Sequence, residues 1–184
     1  MTAEGIVGEY LDLRREADAD VLAMQMGDFY EFFGEDAEFV GEELDLKVSE
    51  RSSGGESYAM AGVPVADLTP YLTALVERGY RVAVADQHEV EGGHERHIDR
   101  IVTPGTLVDP TGDDAQYLAT VVRGDDSLGL AFLDITTGRF HVTATEGDDS
   151  EARALTELYR FAPTEILPGP DLRGDDEFLD QIRE

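Results

Sequence analysis

Apolar and polar positions follow two periods along the chain, and each change of period marks an element. Ile6, Tyr10 and Leu13 recur at helical spacing within residues 5–17, with Arg15 and Glu16 on the polar side, which predicts a packing helix. Residues 21–26 form a short apolar run stopped by Gly27-Asp28, a turn-forming pair, so that 29–33 can begin a second extended segment. Ala37, Val40 and Leu44 then recur at i, i+3 and i+7 among acidic residues, an amphipathic helix ending near Asp45. Residues 47–50 read as a strand, and 51–57 as a loop whose glycines and serines make a turn or mobile tip. Small residues and Pro64 keep 57–64 out of regular helix. Asp67-Leu68-Thr69-Pro70 opens another helix, capped by Asp67 or Thr69, striped by Leu72, Leu75 and Val76 and ended by Gly79. Residues 81–90 read as a central strand, and 91–104 as a hairpin or loop into a further strand.

Turn formers then concentrate at Pro104-Gly105, Pro110 and Gly112-Asp113-Asp114, which sets a boundary within 107–115 and predicts two domains, 1–110 and 111–184. Beyond it, 117–124, 128–136 and 138–145 read as three short strands of an antiparallel meander. A helix with Ala154, Leu155, Leu158 and Phe161 on one side follows, then a fourth strand at 165–169 and a closing helix at 175–184. The fold class is α/β (α+β). A mixed sheet flanked by helices comes first, then a partial ribonuclease H-like sheet that stops before such a fold is complete.

Composition narrows the function. The 184 residues contain no Cys, which excludes disulfides, thiolate metal sites and a cysteine nucleophile. No apolar run approaches the ~20 residues that span a membrane, and the first ten residues lack the basic start and apolar core of a signal peptide, so a cytoplasmic protein is expected. Acidic residues number 41 against 14 basic ones, a formal net charge of −27 spread along the chain. Such an excess keeps a surface hydrated at high salt and points to a salt-rich cytoplasm. An acidic protein that avoids or mimics nucleic acid would carry the same signature.

Chemistry is sparse. The single Lys, Lys47, follows Leu46, so the Gly-Lys-Ser/Thr of a P-loop is missing and ATP hydrolysis of that kind is excluded for this chain; no Gly-x-Ser-x-Gly elbow occurs either. His88, His94 and His97 lack the His-Glu-x-x-His spacing and read as loop histidines, with no metal site assigned. Arg51, Arg96 and Arg100 are cations beside loops, suited to phosphates or to salt bridges with the many carboxylates. Asp134 lies where a ribonuclease H-like nuclease holds magnesium, and Asp148, Asp149 and Glu165 are its only positional companions.

The densest chemistry is in 29–33. On a strand, Phe29, Glu31 and Phe33 share one face and Tyr30 and Phe32 the other. A carboxylate is rarely buried unpaired, so the Glu31 face is expected to be open, with Phe29 exposed beside it. A ring next to an acceptor suits insertion into a base stack. An edge strand with a solvated carboxylate explains the same spacing.

Residues 21–37 closely resemble the N-terminal mismatch-recognition domain of the MutS family of DNA mismatch-repair proteins, whose Phe-x-Glu motif matches Phe29-Tyr30-Glu31. Residues 58–64, 80–87 and 100–106 follow in the family's order, and 130–140 resembles the start of its connector domain. The resemblance implies a non-catalytic sensor of mismatched or looped double-stranded DNA, with Phe29 wedging into the minor groove and Glu31 hydrogen-bonding the base. Met60, otherwise a core residue, becomes a candidate minor-groove contact beside the arginines. It further implies a homodimer, a MutL-like partner, and ATP with magnesium at a domain outside this chain. A nuclease centred on Asp134 and a protein-interaction module that never touches DNA are the alternatives.

Overall fold

A computed structural model describes residues 5–107 and 115–183. The chain divides into two compact units, Met1–Thr103 and Pro104–Glu184. The expected boundary at 110/111 lies outside the described residues, as do Pro110 and Gly112-Asp113-Asp114.

In the first unit α1 (Gly5–Glu16) precedes a hairpin of β1 (Val21–Met26) and β2 (Phe29–Phe33). α2 (Glu35–Leu44), β3 (Ser49–Ser53), β4 (Glu56–Pro64), α3 (Leu68–Glu77), β5 (Val82–Val90) and β6 (Gly93–Val102) follow. The sheet order is β3-β4-β2-β1-β5-β6, and only β1 and β5 run parallel. Val21–Met24 and Val82–Ala85 are buried on both faces, as their unbroken apolar runs require. Val7 and Tyr10 of α1 cover Leu22, Met24, Phe33, Ala83 and Ala85. The alternate set, including Ala23, Phe32 and Val84, is equally buried, and α2 and α3 close that side.

β2 pairs with β1 only from Met24 to Met26, which leaves the backbone at Leu22 without a strand neighbour on that side. Asp36 at the start of α2 fills the gap. Its Oδ2 accepts the Leu22 N–H at 2.9 Å and faces the Tyr10 hydroxyl at 2.6 Å, while Arg14 Nε donates to the same carboxylate. Burial and the Asp36 charge push the Tyr10 hydroxyl well above its ordinary pKa.

Two expectations change. Residues 51–57 are no loop: they form the turn end of the β3–β4 hairpin, with the turn at Gly54-Gly55. Their polar side chains hid an edge strand whose two faces stay mostly exposed. The histidines are likewise on strands, His88 on β5 and His94 and His97 on β6, because the β5–β6 ribbon continues past the last β1 partner at Ala85. Beyond that point the ribbon is mostly exposed, which removes the demand for apolar alternation.

The second unit contains β7 (Tyr117–Arg123), β8 (Ser127–Asp134), β9 (Phe140–Glu146), α4 (Ser150–Phe161), β10 (Glu165–Pro168) and α5 (Asp176–Arg183). Its order is β10-β7-β8-β9, a meander with β10 added parallel to β7. Val121, Leu130, Phe132, Ala154, Leu158 and Phe178 form its core. Among the described residues no helix is long and apolar enough to cross a membrane.

Candidate functional site

The β1–β2 turn is two residues long, Met26 facing Phe29, with Gly27 at φ 61°. Glycine at the first central position suits a tight hairpin whose twist matches its strands. Phe29 is thereby delivered at the tip, 45% exposed. Two residues on, Glu31 is half-buried, and two further, Phe33 is fully enclosed, edge-on to Tyr10 at 5.2 Å. One face of one strand thus passes from solvent to core.

The Glu31 face is less open than expected. Gly62 is the cross-strand partner of Glu31, and a Cβ there would lie 2.6 Å from Glu31 Oε2. Lacking that atom, Gly62 leaves a cradle in which the carboxylate lies down against β4. Oε2 is buried and accepts no hydrogen bond among the described residues. Burial pushes the Glu31 pKa up, and the Arg51 charge opposes this without cancelling it. Sequence reasoning missed Gly62; its only signal was the small residues Ala59, Ala61 and Gly62 around Met60.

The other predicted contacts are distributed unevenly. Arg51 is half-buried on β3, 6.0 Å from the Phe33 ring centroid, and makes no ion pair among the described residues. Met60 faces Phe33 across the ladder and packs on the α1 cluster. Arg96 has a side chain only 10% exposed. Its guanidinium donates to the Gln25 carbonyl and to Gln87 Oε1, which also accepts the Gly27 N–H, and pairs with Glu9 at 3.2 Å. Arg96 therefore braces the turn that carries Phe29. Arg100 pairs with Asp86 at 3.1 Å. It faces Val84 in the ladder, on the side opposite Glu31. Asp86 also accepts the Tyr30 hydroxyl, and burial followed by this carboxylate pushes Tyr30 up to about 12.

Residues 4–111 match the family model described as MutS domain I, and 116–184 match MutS domain II. The chain belongs to the MutS family. It is 64% identical to DNA mismatch repair protein MutS 1 of Haloarcula marismortui, over 99% of this chain and 20% of that protein. The identity is also 64% to MutS 1 of Halobacterium salinarum, over 98% of this chain and 21% of that protein, and 38% to MutS of Thermus aquaticus, over 97% and 22%. The chain spans about a fifth of the length of the curated relatives it matches.

The nuclease alternative finds no assembled centre in this MutS chain. Asp134 Oδ1 accepts the Thr136 N–H and hydroxyl and the Thr137 N–H, and Oδ2 accepts the Thr137 hydroxyl. These donors, the Thr136 and Thr137 hydroxyls foremost, hold its pKa at about 2. It is a turn cap. Of the residues proposed beside it, Glu165 accepts the Gly105 N–H. Among the described residues no group of three potential ligands includes any of them.

Proposed function

We propose that this chain is the mismatch-sensing part of a MutS protein, with residues 1–110 as the recognition domain and 111–184 as the start of the connector. The observation that carries the reading is the pair on β2: an exposed Phe29 and, one same-face step away, a carboxylate with a buried oxygen that accepts no hydrogen bond among the described residues. A buried polar atom without a partner is costly and rare, and a base edge brought in by the ring would supply one.

A mispaired base stacks poorly, so wedging Phe29 from the minor groove and kinking the duplex costs less there than at a matched pair. Deformability is the signal. Glu31, with its pKa raised, holds a proton more readily than an exposed carboxylate and can donate to an acceptor on the base that Phe29 stacks against. Arg51, without an ion pair among the described residues, is the strongest candidate for a phosphate, with Met60 beside it as a groove contact. Arg96 acts through the turn. In the whole protein, a homodimer with ATP and magnesium at a distant domain would read the bound state through the connector and pass it to a MutL-like partner.

Fluorescence anisotropy with matched and mismatched duplexes in molar potassium chloride tests this reading. Tighter binding of the mismatched duplex is expected. Equal affinity for both, or none for either, overturns it.

A further inference from the structure

The outer half of the β5–β6 ribbon carries a second cluster that the mismatch reading leaves unused. Asp86 faces His97 and His88 faces Glu95 in the antiparallel register, so these side chains project from one face. The register shifts between Val84 and Ala85, whose partners are Arg100 and Ile98. Asp99 is therefore the extra residue of a β-bulge, a device that re-aims a side chain. Here it aims a carboxylate at two imidazoles. Asp99 Oδ1 lies 3.1 Å from His88 Nε2 and 3.2 Å from His97 Nε2, and the two rings stack 4.2 Å apart with 10° between their planes. The Asp86 N–H donates to Asp99 Oδ2 at 3.0 Å and fixes the carboxylate from behind.

We propose that His88, His97 and Asp99 form a binding site for one divalent transition-metal ion of the zinc class. The ligand atoms of all three residues lie within 4.8 Å of one another. A tetrahedral ion with arms of about 2.0–2.1 Å needs ligand atoms roughly 3.3 Å apart, close to the two nitrogen–oxygen separations already present. Each imidazole would present its Nε2 lone pair and keep its proton on Nδ1. The fourth position faces solvent, since the His88 and His97 side chains are 41% and 61% exposed. Two imidazoles and a single carboxylate favour zinc, copper, nickel or cobalt over magnesium and calcium, which prefer oxygen ligands. Asp86 on this face is paired with Arg100, while Glu95 on the same face and the net charge of −27 raise the local cation concentration. A bound ion would tie together the two strands where the rest of the sheet no longer supports them.

Cobalt(II) titration of the whole chain, in molar potassium chloride with excess magnesium, is the test. One equivalent should bind with the intense visible absorption of tetrahedral cobalt, and zinc should displace it. His97→Ala and Asp99→Asn should each weaken binding by at least about tenfold, since loss of even an outer partner of a ligand costs that much. His94→Ala, from the opposite face of the ribbon, should leave it unchanged. Circular dichroism of the metal-free variants checks that the fold persists. Absence of uptake, uptake that magnesium abolishes, or uptake that survives both ligand substitutions overturns the site.

Discussion

Glu31 and Gly62 face each other across the β2–β4 ladder so closely that a Cβ on residue 62 would sit 2.6 Å from Glu31 Oε2. The nearest atoms belong to the end of a flexible side chain, not to backbone. Gly62→Ala should therefore leave the thermal midpoint close to that of the wild type while turning the carboxylate out toward solvent. The pKa of Glu31, followed by carboxyl NMR, should fall back toward 4.5. Discrimination between mismatched and matched DNA should weaken with it. An unaltered titration would show that Gly62 does not hold the carboxylate in place.

The raised pKa of Glu31 fixes the sign of a pH effect. The folded chain binds this proton more tightly than the unfolded chain. The associated stability is fully present below the ordinary value of 4.5 and is lost as pH rises through the raised value. Glu31→Gln removes the titration. Wild type and variant should have matching thermal midpoints near pH 4, and the variant should become the more stable toward about pH 7. A variant that is less stable at neutral pH would mean that the ionised carboxylate is paired.

Much of this was legible in the chain, and the rest was not for physical reasons. Gly27-Asp28 announced the hairpin, and the apolar spacing of Ala37, Val40, Leu72 and Leu75 announced two helices, because both signals are local. The family resemblance rested on local motifs too, and the matches to MutS domains I and II agree with it. Register is not local. Nothing near Glu31 tells that its neighbour across the ladder lacks a side chain, and nothing near Arg96 tells that Glu9 and Gln87 claim it. The β3–β4 hairpin end at 51–57 reads as a loop in the sequence, and 91–104 as a hairpin or loop, because mostly exposed strands carry no apolar alternation.

The Tyr10–Asp36 contact should matter for stability more than anything exposed in the first unit. One hydroxyl proton is shared between the Leu22 carbonyl at 2.7 Å and Asp36 at 2.6 Å, both buried. Tyr10→Phe should cost about 1–3 kcal/mol in urea unfolding, the usual penalty for a buried group deprived of its donor. Asp36→Ala should cost more, because it strands the Leu22 N–H, removes an acceptor of the Tyr10 hydroxyl and leaves Arg14 with only the Ala19 and Asp20 carbonyls. A cost for Asp36→Ala below that of Tyr10→Phe would contradict this network.

The three arginines should separate. Arg51→Ala should weaken matched and mismatched duplexes about equally and reduce the salt slope of binding by roughly one, as loss of a phosphate contact does. Arg96→Ala should lower the thermal midpoint and impair mismatch preference through the Gly27 turn. Arg100→Ala, on the opposite face, should affect binding least. Selective loss for mismatched DNA in Arg51→Ala would place that side chain on a base.

The most direct test compares Phe29→Ala with Phe32→Ala, measuring unfolding and the mismatched-to-matched affinity ratio on this chain and on a full-length MutS carrying it. The two residues lie on opposite faces of β2, one 45% and the other 1% exposed. Base stacking on an aromatic ring is worth ~1–3 kcal/mol, so Phe29→Ala should lose most of the ratio while the fold stays nearly intact. Phe32→Ala should cost ~3–5 kcal/mol of stability as a core truncation. A Phe29→Ala protein that keeps the wild-type ratio, or that unfolds while Phe32→Ala is benign, would contradict the wedge.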